Sequence, residues 1–530
     1  MDQLALFFSL MLAAIVMVPL GDRLKLPSPV LMTLVGAVLA AVPQVPNVRI
    51  DPDLILPLVL PPLLYASVQR TSWRQFAANR RAIFLLAVAL VFVTMAAVAA
   101  VAGAVVPGIT AASAFTLGAL VAPPDPVAAT AVAGSLGLPR RMISTLEGEG
   151  LFNDVTAIVL YHVAIAAAVS GEFSLPHAAL ELVLSAVVAV AVGFALGWAA
   201  NKLMGTVGDP TLQIGLSLLV PFASYALAEE FHGSGVLAVL TTALFLAEYA
   251  FEADDVTARL AGNTFWEIVD TLVTGIAFGL IGLEMHNVFS VGAGNWGPMV
   301  RHAALVTAVV VGVRLLYLLP AAWIARRMHR TRDLDEDIPM TWRETVIMWW
   351  AGMRGVASIA LVLAIPLTTD SGDGFPARAE LLFIAFTVVL TTLVLQGLTL
   401  PWLVRRLGVR SDIDAEHDLE KMLALRAMTA AKQRLRDIEA AEPLPDELSE
   451  QLHRRAFDLG ARICPDIVDD ERRESHSRRV MRLKSVRRIQ EEMMSAARHE
   501  VLAARSEPGY DPEVVDRVLR HLDLRSVRGV

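Results

Sequence analysis

Long apolar runs, separated by short polar or proline-rich breaks, fill the chain from its first residues to about residue 404. A helix that crosses a lipid bilayer needs about 20 predominantly apolar residues. The pattern predicts thirteen membrane-spanning helices, at residues 2–20, 28–46, 53–69, 82–106, 109–135, 145–170, 178–204, 211–229, 234–251, 264–287, 297–325, 344–367 and 379–403. Two runs depart from the pattern, because 53–69 is short and contains three prolines while 264–287 contains three carboxylates. The predicted fold is an all-α polytopic membrane protein.

Basic residues are distributed unevenly among the loops between these runs. The loops after odd-numbered runs contain fifteen lysines and arginines, whereas the loops on the other side contain Arg49, Arg301 and Arg378. Cytoplasmic loops carry the excess of positive charge in membrane proteins, so the bias predicts an external N-terminus and a cytoplasmic C-terminus. The first run carries Asp2 in place of a basic segment, and we interpret it as a retained span rather than a removed signal peptide.

Composition supports a membrane protein and excludes several other classes. Of the 530 residues, 55% are hydrophobic and 18% are charged, whereas soluble domains carry about 25% charged residues. The formal net charge of −8 argues against binding to nucleic acid. A single cysteine, Cys464, excludes a disulfide framework and a cysteine-ligated metal site. The chain has no GxxxxGK[ST] phosphate loop, which argues against an ATP-driven pump.

The last part of the chain, 406–530, has a different character. Its charges are dense and balanced, and three segments rich in helix-forming residues, 415–440, 446–463 and 470–506, are separated by prolines. We interpret it as a helical cytoplasmic tail. Its third segment is strongly basic, so a dimer contact or a face that meets anionic lipid are alternatives to a simple solvated appendage. No catalytic constellation is present in it.

A carboxylate flanked by prolines interrupts the fifth apolar run, where residues 121–127 read VAPPDPV. Three prolines around Asp125 cannot lie within a continuous helix, because each lacks an N–H donor and clashes with the preceding turn. The sequence therefore predicts a broken helix with free backbone carbonyls beside a carboxylate, which is a combination suited to a cation. The alternative is that Asp125 only caps the half-helix after the break.

Further carboxylates occur in the sixth run, where residues 147–154 read EGEGLFND. On a helix, Asp154 shares a face with Glu147 and Gly150, and the apolar residues that follow it indicate that it points into the bundle. Two carboxylates, Asp125 and Asp154, could then hold either a cation or protons. Glu147 is nearer the predicted cytoplasmic end and could simply be solvated.

An arginine surrounded by glycines, Arg354, lies in the twelfth run within AGMRG. Because a charge at membrane depth must be paired, Glu149 is the preferred predicted partner and Glu147 the second. Arg354 could be a structural clamp or act directly in the site.

Three further polar residues lie within predicted spans. Arg314 is predicted to form a structural pair with Glu284. Asp270 could line a cytoplasmic funnel. His162 is interpreted as a buried polar residue in preference to a proton sensor.

Together, Pro124-Asp125-Pro126, Asn153-Asp154 and Gly352–Gly355 resemble the motifs of the monovalent cation:proton antiporters, in the sodium/proton exchanger branch. The resemblance covers about 1–405 and is closest to long bacterial members with a cytoplasmic tail. It implies a homodimer in the bacterial inner membrane that works as an elevator.

The resemblance also implies two parts within residues 1–405. A core of two inverted repeats with broken helices would comprise 82–170 and 297–403, and a dimerisation part would comprise 1–70 and 178–287. The core would carry the substrate past the dimerisation part. No enzyme activity and no cofactor are implied, because the small cations are themselves the substrates.

Site roles follow from the resemblance residue by residue. Asp125 and Asp154 would bind Na⁺ or H⁺, Asn153 would support them, and Glu149 would pair with Arg354. Members with Asn before the second Asp tend to be electroneutral, so one cation per proton is expected.

Two positions depart from the family pattern. Gly150 stands where relatives often have Ser, and Pro124 where they often have Thr, so two hydroxyl ligands are missing from the side chains of the site. These departures leave K⁺/H⁺ exchange open as an alternative. Sodium-coupled uptake of an organic solute and a channel are further alternatives, although no cluster of polar residues indicates an organic-solute pocket.

Overall fold

The computed structural model describes residues 2–40, 42, 52–70, 81–127, 129–130, 136–171, 175–250, 256–291, 296–332, 341–410, 413–442 and 445–464, and a few isolated residues after them. The chain divides into two compact units, Met1–Ser411 and Asp412–Val530. Almost all of the described residues are helical. The one β pairing among them is a single antiparallel bridge between Thr368 and Gly374.

The first unit contains fourteen described helices. They are α1 (Asp2–Leu24), α2 (Ser28–Ala40), α3 (Pro52–Arg70), α4 (Arg81–Val105), α5 (Ala111–Val121), α6 (Arg140–Ser170), α7 (Leu175–Thr206), α8 (Pro210–Glu230), α9 (Gly235–Ala250), α10 (Val256–Val291), α11 (Trp296–Arg332), α12 (Trp342–Trp350), α13 (Val356–Leu363) and α14 (Arg378–Leu407). α4 and α14 each include a π-helical turn, at Leu85–Ala89 and Thr392–Gln396.

Each of the thirteen predicted spans contains at least one of these helices. Among the described residues, eight helices are long and apolar enough to cross a membrane, while α2, α5 and part of α9 are shorter apolar helices. The run with three prolines forms one helix, α3, and the run with three carboxylates forms most of α10. The polytopic helical fold is thus confirmed, and the number of thirteen spans stays a prediction.

Two predicted spans are broken in the middle. The fifth stops being helical after Val121, at the start of the proline-rich segment, as the prolines predict, and Val127, Ala129 and Thr130 are helical again. The twelfth is divided into α12 and α13 by the segment Ala351–Gly355. The resemblance implies broken helices in the core, but the position of this second break was not predicted, because two glycines permit a continuous helix to bend as readily as they permit it to end. Both breaks meet at the candidate site.

The crossing of α2 and α10 depends on glycine. A Cβ atom at Gly282 would overlap the carbonyl oxygen of Thr33 and lie 2.6 Å from the amide nitrogen of Ala37, so the two backbones are in direct contact. Gly279 likewise faces Leu10 of α1. Small residues at such crossings let helices pack closely where no hydrophobic driving force operates. α10 is therefore firmly seated against α1 and α2.

We expect Gly282→Val to destabilise the protein by about 1–3 kcal/mol, because backbone atoms cannot give way as a flexible side chain can. Thermal unfolding of purified protein in detergent measures the effect. Gly262→Val is the matched control, since it lies on the same helix and a Cβ there would meet nothing within 4 Å. Equal loss of stability in both variants would show that helix propensity, and not the crossing, is responsible.

In the second unit, the two described helices are α15 (Ile413–Ala441) and α16 (Asp446–Ile463), which pack against each other. They coincide with the predicted segments 415–440 and 446–463. Glu439 of α15 accepts a hydrogen bond from Ser449 of α16 over 2.5 Å. The third predicted segment, 470–506, lies almost entirely outside the described residues.

Candidate functional site

The two broken helices meet backbone to backbone. The amide of Asp125 donates a hydrogen bond of 2.7 Å to the carbonyl oxygen of Met353, which joins the break after α5 to the break between α12 and α13. Each break exposes helix ends whose backbone groups have no partner within the helix. Two oppositely charged side chains, Asp125 and Arg354, lie at these ends.

Asp125 accepts hydrogen bonds from the starts of two helical segments. Its Oδ1 accepts from the amide of Val127, two residues on, over 2.8 Å. Its Oδ2 accepts from the amide of Val356, the first residue of α13, over 3.4 Å. A Cβ atom at Gly355 would overlap this carboxylate, so only glycine permits the approach. The positive ends of two half-helices thus hold the negative charge in place. Asp125 thus caps the half-helix that follows it, which is the alternative interpretation of the sequence, and it caps the start of α13 as well.

Arg354 compensates the opposite ends. It is 1% exposed. Its guanidinium donates to the carbonyl oxygens of Val121 over 2.9 Å, of Ala122 over 3.2 Å, and of Gly352. These carbonyls belong to the last turn of α5 and to the break after α12. The guanidinium of Arg354 therefore stabilises the negative helix ends. It uses carbonyl oxygens that were expected from the sequence to be free for a metal cation.

The predicted pairing of Arg354 with Glu149 is wrong as a direct contact. Glu149 forms a two-pronged salt bridge with Arg314 instead, through Nη1 to Oε1 and through Nη2 to Oε2, the latter over 2.9 Å. Arg314 also donates from Nε to the carbonyl of Met348 over 3.2 Å. The described bonds of Arg314 thus go to Glu149 and α12, in place of the predicted Glu284.

The physical reason for both corrections is the break in the twelfth span. Arg354 lies in a non-helical segment whose nearest unsatisfied groups are helix-end carbonyls, so it is used there. Glu149 is then left to the other buried arginine, which approaches over Gly352, where a Cβ atom would contact its side chain. A sequence with two arginines and one buried glutamate could not distinguish these arrangements.

Asn153 connects α6 to the break after α5 by a hydrogen bond. Its Nδ2 donates to the carbonyl of Pro124 over 2.7 Å, and the residue is fully buried. Its Oδ1 has no hydrogen-bond partner among the described groups. The Pro124 carbonyl is therefore already in use, which corrects the expectation that the broken segment leaves its carbonyls free.

Asp125 and Asp154 face one cavity of about 480 Å³ and interact electrostatically. Among the described residues, six carboxylates line this cavity and no lysine, arginine or histidine does; they are those of Asp22, Asp125, Glu147, Asp154, Glu267 and Asp270. Gly150 lines it as well, and a Cβ there would overlap the ring of Pro126. Serine at this position is thus excluded unless the proline shifts.

Two of the three remaining sequence candidates line the cavity. Asp270 lines the cavity, as expected for a funnel, and so does Glu147, whereas His162 does not. Sequence reasoning missed Asp22 and Glu267, because a linear pattern does not indicate which polar residues of α1 and α10 line the same cavity as Asp125. Within the part of the chain that the structure describes, no group of three or more His, Cys, Asp or Glu side chains is close enough together to hold a metal ion.

Comparisons with known proteins identify a family for this chain. Residues 9–406 match the family described as "Sodium/hydrogen exchanger, transmembrane". An uncharacterized Na⁺/H⁺ exchanger of Mycobacterium tuberculosis strain H37Rv is 31% identical and covers 99% of this chain and 96% of its own. A Bacillus pumilus protein named as a sodium, potassium, lithium and rubidium/H⁺ antiporter is 30% identical over 75% of this chain and 61% of its own.

The fold has a solved counterpart. The structure of the sodium proton antiporter MjNhaP1 from Methanocaldococcus jannaschii matches with a TM-score of 0.59 and 19% sequence identity. The match covers 77% of this chain and 99% of that one. At this level of identity the likeness establishes the fold.

Proposed function

Because the chain belongs to the sodium/hydrogen exchanger family, we propose that it exchanges Na⁺ or Li⁺ for H⁺ by alternating access at Asp125 and Asp154. Members of this family are membrane transporters and not enzymes. The observation that carries the proposal is the cavity that both carboxylates line, which has four further carboxylates and no basic group among the described residues of its lining. Such a cavity attracts small cations, and its two central carboxylates can bind either a cation or a proton.

The two carboxylates have different surroundings and take different roles. The carboxylate of Asp125 is fixed by two backbone N–H groups and remains a charged ligand beside the broken helices. No described hydrogen bond fixes Asp154, which is therefore the group that exchanges its proton for the cation. Na⁺ binds to both carboxylates when Asp154 is deprotonated, and a proton on Asp154 releases it. One cation then exchanges for one proton.

Movement follows from where the charges lie. Asp125 and Arg354 compensate the ends of the broken helices within the core itself. The core, 82–170 and 297–403, can therefore move as a unit past the dimerisation part, 1–70 and 178–287. The loaded and the protonated site each carry a reduced charge, whereas the empty site carries both carboxylate charges and crosses poorly. The working form is a homodimer in the bacterial plasma membrane.

The cavity opens toward the cytoplasm in this proposal. Asp22, which lines the cavity, is followed by Arg23 and Lys25, and Glu147 lies two turns after Arg140 and Arg141. The positive-inside rule assigns these basic segments to the cytoplasmic side. The structure then corresponds to an inward-open conformation, with the N-terminus outside and the tail in the cytoplasm.

K⁺/H⁺ exchange is the second candidate. Position 150 lacks a hydroxyl because Pro126 occupies its space, and position 124 is proline, so fewer oxygen ligands enclose a small ion. A site with fewer fixed ligands discriminates less by ion size. The name of the Bacillus pumilus relative, which includes potassium and rubidium, points the same way.

Ion replacement in liposomes separates the candidates. Purified protein is reconstituted with an acidic lumen and a trapped pH dye, and Na⁺, Li⁺ and K⁺ are added in turn outside. We expect Na⁺ and Li⁺ to dissipate the gradient, with an apparent KM for Na⁺ that rises as the pH falls, because protons compete for Asp154. An equal response to K⁺ would establish the second candidate. Folded protein that responds to no cation at any pH would refute both.

A further inference from the structure

One wall of the cavity is formed by α10, which is not one of the two broken helices. Glu267, Asp270, Thr271 and Thr274 of this helix all line the cavity. The carboxylate of Asp270 is close enough to Asp125 for the two to interact electrostatically. The cavity therefore has polar groups on two walls, one built by the broken helices and one built by α10.

The hydroxyl of Thr274 is an exception among the helical threonines. Most of the others satisfy their hydroxyl by donating to the carbonyl four residues earlier, as Thr264 of the same helix does to Leu260 over 3.1 Å. Thr274 is 8% exposed, and its Oγ1 has no hydrogen-bond partner among the described groups. A buried polar atom without a partner is unfavourable, so an unpaired hydroxyl on a residue that lines the cavity indicates a ligand that satisfies it when bound.

Asp270 and Thr274 are one helical turn apart and so lie on the same face of α10. A carboxylate and a hydroxyl oxygen are ligands that hard cations prefer. α10 is held by direct backbone contact with α2, which makes it a rigid carrier for these two groups.

We propose that Asp270 and Thr274 form a second cation subsite, which receives the ion in the cavity and passes it to Asp125 and Asp154. The inference rests on the proposed cation/proton exchange. α10 belongs to the part of the chain that stays fixed while the core moves. The subsite therefore serves only the conformation in which the core faces this cavity, and it acts on cation binding from one side of the membrane.

This one-sidedness gives a test that a general defect cannot imitate. Na⁺-dependent proton movement is measured in inverted and in right-side-out membrane vesicles that contain the full-length protein. We expect Thr274→Val to raise the KM for Na⁺ about five-fold from the cytoplasmic face, a change typical of one lost polar contact. The KM from the opposite face and the maximal rate should stay within about two-fold.

Three further variants sharpen the test. Thr274→Ser keeps the hydroxyl and should restore the wild-type KM, while Asp270→Asn should raise the cytoplasmic KM by about ten-fold or more, because it removes a charged ligand. Thr264→Val removes a hydroxyl that already has a partner and lies outside the cavity lining, so its KM should not change. Thr274→Val should unfold at the wild-type temperature, since no partner of its hydroxyl is left unpaired.

The outcomes distinguish this inference from the function on which it rests. Wild-type exchange with an unchanged KM in both Thr274→Val and Asp270→Asn would overturn the subsite and leave the exchanger intact. Equal increases from both faces would also overturn it, because a fixed wall cannot serve both conformations. A folded wild type without any cation-dependent proton movement would instead refute the exchange itself.

Discussion

Asp154→Asn is expected to abolish cation-driven proton movement while the protein still folds. The substitution removes the carboxylate that takes up and releases the proton, and it leaves Asp125 and its two backbone donors unchanged. We expect the rate to fall below about 1% of wild type, which corresponds to at least about 2.7 kcal/mol. Stability should be retained, because no described hydrogen bond depends on the Asp154 side chain. The liposome assay measures the rate, and thermal unfolding in detergent checks the fold.

A matched carboxylate provides the control for this prediction. Glu147 lies two turns earlier on the same helix and lines the same cavity, yet it is closer than Asp154 to the basic residues Arg140 and Arg141 at the start of the helix. Glu147→Gln should retain exchange within about three-fold, as expected for a group that acts only through the field of the cavity. Normal exchange by Asp154→Asn would contradict the assignment of the site.

Glu149→Gln is expected to cause the largest loss of stability of any single substitution considered. The Glu149–Arg314 bridge is buried, with both side chains 2% exposed. Removing one partner leaves an uncompensated buried charge, which costs about 3–5 kcal/mol. The bridge also joins α6 to α11, and through the Met348 carbonyl to α12, so its loss loosens three helices at once. Thermal unfolding or the yield of monodisperse protein measures the effect.

Two comparisons test the cause of that loss. Combining Glu149→Gln with Arg314→Met removes the orphaned charge and should recover most of the lost stability. Arg454→Gln breaks the Arg454–Glu450 bridge of α16, whose side chains are 53% and 67% exposed, and should cost less than about 1 kcal/mol. A double variant as unstable as Glu149→Gln alone would mean that the bridge contributes through its geometry and not through its charge.

Much of this architecture could be predicted from hydrophobic periodicity, because a bilayer imposes a strict length on apolar runs. The break at Asp125 could be predicted as well, since three prolines exclude a continuous helix. The second break could not, because Gly352 and Gly355 are compatible with either outcome until the facing segment is known. The hydrogen bonds from Arg354 to the helix-end carbonyls depend on this break, so they could not be predicted either.

Partner choice among buried charges is the part that sequence could not decide. Glu149, Arg314 and Arg354 are far apart along the chain, and each pairing satisfies the rule that buried charges must be compensated. Only the positions of the broken ends assign Arg314 to Glu149. In the same way, the contribution of α10 to the cavity depends on glycine contacts between helices, which a linear pattern does not encode. The roles of Asp125 and Asp154 themselves stay predictions until the variants are measured.

The hydrogen bond between Asp125 and Met353 has a consequence for how the protein is made. Its two residues are separated by more than two hundred positions. At a synthesis rate of about 5–20 residues per second, Asp125 therefore leaves the ribosome about 10–50 s before Met353. During that interval a carboxylate and the open end of α5 are already in or near the bilayer without Arg354 and Val356. The nascent chain therefore needs shelter at the insertion machinery until its last third emerges. Truncations before residue 356 are expected to be degraded and not to accumulate as stable half-molecules.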